Sequence, residues 1–134
     1  RAWGGWGSAD LPPHRTFMLG GRGSLVGEPY RAWGGRWAAW GRVEWRVGVP
    51  VPEIGLGPFV TTGRRAVIAP YLAAGWAGGG VSAVPWQPSA GVRPVVGMAA
   101  EWFHSFLRVE LGVSLRTGDV GATVGVSSDL WGIL

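Results

Sequence analysis

From Phe106 to Arg116 apolar and polar side chains alternate. Leu107, Val109, Leu111, Val113 and Leu115 share one parity, and Arg108, Glu110, Ser114 and Arg116 the other. A period of two marks an extended strand with unlike faces, because successive side chains leave a pleated backbone in opposite directions. The pattern returns between Trp37 and Val47, where Arg42, Glu44 and Arg46 hold even positions and Trp37, Val43, Trp45 and Val47 odd ones. Two further strands follow, Val92 to Phe103 and Val120 to Leu130, with Val96, Met98, Trp102, Val124 and Val126 opposite Arg93, Glu101, Thr123 and Asp129. A fifth, about Arg65 to Trp76, is apolar on both sides, and Ile68, Leu72 and Trp76 are assigned to its outer face. In the four strands with a clear register, the charged side chains Arg42, Glu44, Arg46, Arg93, Glu101, Arg108, Glu110, Arg116 and Asp129 all fall on one face.

Little else in the chain competes with that pattern. Glycine and proline number 25 and 10 of 134 residues, which leaves no amphipathic helix, while 47% hydrophobic residues are enough for a folded domain. The fold expected is all-β and antiparallel. The longest uncharged stretch, Ala66 to Val92, is broken by Pro70, Pro85, Pro88 and Gly78 to Gly80, so it is no spanning helix. The tryptophans decide what covers the apolar face. With strands running alternately up and down, Trp37 and Trp76 fall near one rim, and Trp45, Trp102 and Trp131 near the other. Two aromatic belts around an apolar band are the pattern of a transmembrane β-barrel, and strands of 11 to 13 residues tilted about 40° span its roughly 25 Å hydrocarbon layer. A soluble β-sandwich would instead carry abundant Lys, Thr and Glu on its wet face, and this chain has no Lys. The charged face is therefore expected to line a lumen, where Arg and Glu pair between neighbouring strands.

The connections fit an up-and-down order. Short turns are expected at His104-Ser105 and Thr117-Gly118-Asp119, and long Gly- and Pro-rich loops at residues 8–35 and 78–91. Since such barrels carry long loops outside and short turns in the periplasm, residues 8–35 are assigned as an extracellular loop and 36–131 as the strand region. Val49 to Gly63 is long for a periplasmic turn. Five or six strands cannot close a barrel whose smallest relatives have about eight. The 134 residues are thus expected to be the carboxyl-terminal part of a larger barrel in the bacterial outer membrane, with Arg1 to Gly7 ending the preceding strand.

The first long loop reads GGRGSLVGEPYRAWGGR, from Gly20 to Arg36, and leads into the strand WAAWGRVEWRVGVP. In order and spacing, Gly20, Gly21, Leu25, Gly27 and Tyr30, followed by Glu44-Trp45-Arg46 and with Arg31 close by in the loop motif, resemble the bacterial surface antigen family, the BamA/TamA outer-membrane assembly-factor superfamily. The resemblance implies a barrel of roughly sixteen strands that inserts or translocates other proteins, with unfolded outer-membrane or secreted proteins as cargo. It also implies a loop that folds back into the lumen, where its arginine meets acidic residues of the wall. In this chain Val26 stands at that arginine's place and Glu28 at the place of the aromatic after it, so Arg22 and Arg31 are the replacements to consider.

Other chemistry is absent from the sequence. Without Cys there is no disulfide or thiolate site, and without Lys no P-loop lysine or Schiff base. Gly21-Arg22-Gly23 with Gly27 is spaced GxGxxxG rather than as the dinucleotide fingerprint, and no Ser stands in GxSxG. His14 and His104 stand alone, without metal-ligand spacing. Glu44 and Glu110, each beside Arg at i±2, read as ion-pair partners rather than as an acid–base pair. The net charge of +4 is spread singly along the chain, unlike a nucleic-acid footprint. The sequence therefore leads to a barrel that is not an enzyme, needs no cofactor or metal, and has lipid and the rest of its own barrel as partners. Its alternatives are a passive porin-like barrel, the membrane anchor of an enzyme, or a soluble Trp-rich sugar-binding sandwich.

Overall fold

The computed structural model describes residues 1–7, 16–58, 61–80, 87–104 and 106–126. They form strands β1 (Ala2–Trp6), β2 (Phe17–Leu19), β3 (Trp33–Gly35), β4 (Trp37–Glu44), β5 (Val47–Pro50), β6 (Arg65–Gly78), β7 (Arg93–Trp102), β8 (Leu107–Ser114) and β9 (Val120–Val126). No helix occurs among the described residues. The main sheet is antiparallel throughout, in the order β1-β4-β6-β7-β8-β9 with β5 also on β6, and β2 and β3 pair as a separate hairpin. Among the described residues the sheet does not close, so β1 and β9 are its edges.

β4 and β5 are two halves of one strand. Glu44 pairs with Tyr71 and Val47 with Ile68, so a single register runs through both, and the ladder is interrupted where Trp45 faces Pro70. The Trp45 N–H donates to the Pro70 carbonyl at 3.0 Å, but proline has no N–H to return. This corrects two expectations. Trp45 sits near the middle of a strand that runs on to Pro50, in the row of Pro70, Met98 and Leu111, rather than at a rim. The connection that follows is residues 51–64 rather than Val49 to Gly63, nearly as long, and it carries a small hairpin of its own. Gly55 bridges Thr61 there, while Thr62 exchanges hydrogen bonds with Ile54 at 3.0 Å in both directions.

The remaining strands keep the expected alternation. On the outer parity lie Trp37, Val43, Ile68, Leu72, Trp76, Val96, Met98, Trp102, Val109, Leu111, Val124 and Val126, all exposed except the half-buried Trp37. The inner parity carries Arg42, Glu44, Arg93, Glu101, Arg108 and Glu110, interleaved with Ala38, Trp40, Ala69, Tyr71, Ala73, Val95, Gly97, Ala99, Gly112 and Ser114. Arg116 departs from the expected set: β8 ends at Ser114, and the Thr117-Gly118-Asp119 turn carries the Arg116 guanidinium to the Ala90 carbonyl at 2.9 Å, at the rim. Asp129 and Trp131 lie outside the described residues.

The sheet curls toward its charged side. Arg42 of β4 and Glu110 of β8 are three ladders apart, about 14 Å on a flat sheet, yet they meet in two hydrogen bonds of 3.1 Å. Right-handed twist and alternating small residues on the inner face permit that curl. The core lies inside it. Residues 8–35, expected as a plain loop, contain the β2–β3 hairpin, and its strands pack on the inner faces of β4 and β6. Leu19, Leu25 and Val26 are fully buried there, each contributing about 1.5–3 kcal/mol by burial.

Candidate functional site

Two sites occupy the concave face. The first is an ion-pair network of Arg42, Arg46 and Arg108 with Glu44, Glu101 and Glu110. Arg42 pairs with Glu44 at 2.9 Å and Glu110 at 3.1 Å, and Arg46 with Glu44 at 3.3 Å. Arg46 also holds Glu101 in a two-point contact. Arg108 reaches Glu44 at 2.7 Å, Glu110 at 2.6 Å, and Glu101, which faces it across the β7–β8 ladder. Three cations thus meet three anions, and the network is neutral. It forms because β6 and β7 offer alanine between the charged strands: Ala69, Ala73 and Ala99 are fully buried, and the arginine arms cross above them. The Arg42 guanidinium stacks on the Tyr71 ring at 3.6 Å.

Tyr71 joins this network to the second site. Its row across the sheet is Glu44, Tyr71, Gly97, Gly112 and Gly121. With no side chain at Gly97 or Gly112, the phenol lies flat across both and donates from its hydroxyl to the Leu111 carbonyl at 3.2 Å. A methyl group at Gly97 would sit 2.4 Å from that ring. Beside the ring, the three glycines expose bare backbone, and the loop backbone at Val26-Gly27 rests on it. A Cβ at Gly112 would come within 2.0 Å of the Val26 carbonyl oxygen, and one at Gly121 within 2.4 Å of the Gly27 nitrogen. Gly27 has φ of 113°, a region that side chains other than glycine rarely adopt.

The loop is anchored by polar bonds as well. The Ser24 carbonyl accepts from Trp40 Nε1 at 2.8 Å, and Ser24 Oγ accepts from the Gly20 N–H at 2.9 Å. The Glu28 side chain is 1% exposed and accepts from Ser114 Oγ at 2.7 Å and Trp33 Nε1 at 3.0 Å. Arg93 Nη1 lies 3.8 Å from the same carboxylate, with its guanidinium 3.8 Å from the Trp33 ring and its Nε donating to the Ser89 carbonyl at 3.0 Å.

The sequence-predicted residues divide accordingly. Gly20, Gly21, Leu25 and Gly27 belong to the seated loop, and Gly20, Gly21 and Gly27 all have positive φ. Tyr30 and Arg31 do not reach the wall: Tyr30 is exposed and Arg31 lies against its ring, 5.1 Å from the centroid. Arg22 lies beside Gly125 on β9. The carboxylate at Glu28 makes the contact with the wall, and its polarity is opposite to that implied by the family resemblance. Of the tryptophans, Trp37 and Trp76 pack together with centroids 3.7 Å apart, and Trp102 closes β7 at the other end. Trp40, Tyr71, Gly97 and Gly121 were not singled out from the sequence, and Ser114 and Gly112 were read only as inward-facing positions. The only available signal was their shared inner parity.

His104 sits against Gly63 in the turn region, and among the described residues no cluster of three or more His, Cys, Asp or Glu is placed to hold a metal ion. On the same side of the sheet as that turn, outside the strands, Arg64 Nε donates to Glu53 at 2.7 Å and holds that carboxyl below its ordinary range. Comparison with protein-family models, curated proteins and solved structures finds no match to the chain.

Proposed function

We propose that this chain forms part of an outer-membrane β-barrel of the kind that inserts or translocates other proteins, similar to the BamA/TamA superfamily, and that its convex face lies in hydrocarbon. One observation carries the membrane reading. Every outward position of the six-strand path is apolar, including Val43, Leu111 and Val124 at 77%, 53% and 60% exposure, and among the described residues nothing packs over them. An uninterrupted exposed apolar face of this extent is far beyond what a soluble monomer tolerates. In a bilayer it is the required surface, while the strands satisfy their backbone groups by pairing. The open edges at β1 and β9 are where the rest of the barrel would pair.

The translocation reading is supported by the loop. A Gly-Gly…Leu-x-Gly segment seated on the inner wall is what the family resemblance implies, and a filled concave face disfavours a permanently open porin. The paired Arg and Glu residues then act as a neutral lining that holds the wall in shape, with no group set apart for catalysis. Depletion of the protein in cells tests the role: other outer-membrane proteins or secreted cargo should fail to appear. Normal assembly and secretion in depleted cells would refute the translocation role. Release from membranes at alkaline pH would refute the barrel itself.

A further inference from the structure

Two connections meet at the rim where β4 begins and β6 ends, and they are tied to each other as well as to the wall. The Gly34 N–H donates to the Gln87 carbonyl at 3.0 Å, and Trp33 bridges Gln87. Ser89, fully buried, is bound to the end of β6. Its N–H donates to the Ala77 carbonyl at 2.9 Å, and its Oγ accepts from the Ala77 N–H at 3.0 Å. The two connections share one polar centre. Glu28 from the first loop, Ser114 from β8 and Arg93 from β7 converge there under the Trp33 ring, and Arg93 also holds Ser89 of the second loop.

We infer that the segment Gly20–Glu28 and the connection Gln87–Gly91 form a single cap on the concave face, latched at this rim by the Glu28 carboxylate, and that they seat and release together. The cap as a gate rests on the barrel reading; the coupling of the two loops through Glu28 does not. Apart from the Ser24 carbonyl, which accepts from Trp40 Nε1, Glu28 supplies the segment's side-chain bond to the wall among the described residues. Val26-Gly27 meets the wall as bare backbone over Gly112 and Gly121, a contact of shape with no side-chain hydrogen bond of its own. A carboxylate buried to this degree must keep its partners, because an ionised oxygen without donors in a dry site is costly. Ser114 and Trp33 satisfy the two oxygens separately, so the carboxylate spans loop and wall, while Arg93 supplies the opposite charge and extends the tie to Ser89. Loss of the carboxylate leaves Arg93 buried without its counter-ion and weakens the hold on both connections.

The test uses Glu28→Ala, Glu28→Gln, Ser114→Ala and the charge-exchanged pair Glu28→Arg/Arg93→Glu in the full-length protein. Amide hydrogen exchange is read in detergent, and conductance in planar bilayers. Removing a buried charge-assisted partner should speed exchange about tenfold or more at Leu25 to Glu28. The same acceleration should appear at Gln87 to Gly91, with the β7–β8 ladder unchanged. Glu28→Gln, which retains an acceptor, and Ser114→Ala should fall between wild type and Glu28→Ala, and the exchanged pair should recover part of the loss. In bilayers, Glu28→Ala should open more often than wild type. Acceleration confined to the first loop would overturn the coupling, and unchanged exchange in both would overturn the latch. Faster exchange without added conductance would overturn the cap as a gate. Failure of the wild-type protein to enter bilayers would instead count against the barrel, and the exchange measurement would still decide the latch.

Discussion

Placing arginine at Leu111 and, separately, at Leu115 measures what solvent the convex face meets. The two leucines are matched in exposure: both point outward, at 53% and 57%. They differ in height. Leu111 lies opposite Met98 and Ala122, in the middle row of the sheet, whereas Leu115 follows the end of β8. Four residues at about 3.4 Å each separate them by about 14 Å along the strand, or about 10 Å along the membrane normal at a tilt near 40°. That carries Leu115 close to the edge of a hydrocarbon layer about 25 Å thick. In lipid, Leu111→Arg should cost about 2–4 kcal/mol and Leu115→Arg about 0–1 kcal/mol. In water each should stay within about 0.5 kcal/mol of wild type. Reversible denaturant unfolding of the full-length protein from phospholipid vesicles gives both numbers. Equal costs at the two positions, of whatever size, would refute the assignment of hydrocarbon to this face.

Four other outcomes follow from the inner face and the turns. Gly112→Ala forces its new methyl against the Val26 carbonyl, a backbone atom, and should destabilise by about 1–3 kcal/mol, seen as a lower denaturation midpoint at unchanged slope. The same crowding means that arginine at Gly112 or Ser114, which the strand pattern alone would tolerate as lumen-facing, should prevent the loop from seating. Glu110→Gln weakens the charge-assisted bonds to Arg42 and Arg108 and should cost about 1–3 kcal/mol by the same unfolding assay. In Arg64→Gln, the Glu53 carboxyl should titrate at higher pH than in wild type, as read by carbon-13 NMR of the carboxylate. A group held below its unfolded value contributes above that value and loses the contribution as pH falls through the folded value, so the variants should differ at neutral pH and converge in acid.

The alternation of side chains by itself determined which face each strand would present, because a pleated backbone allows two directions and the charges of β4, β7 and β8 occupy only one. It also fixed the antiparallel order, through short turns such as Thr117-Gly118-Asp119 that leave the next strand nowhere to go but back alongside. The glycines at 20, 21 and 27 were legible as a motif. The partners of those residues were not. That Arg42 meets Glu110 depends on the curl of a sheet three ladders wide, and curl is a sum over strands that no local stretch encodes. Trp45 shows the same limit, since its height depends on Pro70, a residue 25 positions away that interrupts the ladder without shifting its register. Glu28 shows it most sharply. In the sequence it stands where an aromatic was expected; in the folded chain its neighbours Trp33, Ser114 and Arg93 arrive from three different elements and make it the loop's anchor. Facing is a local property of the backbone and can be read from period two, whereas contact across a concave surface is decided by tertiary closure.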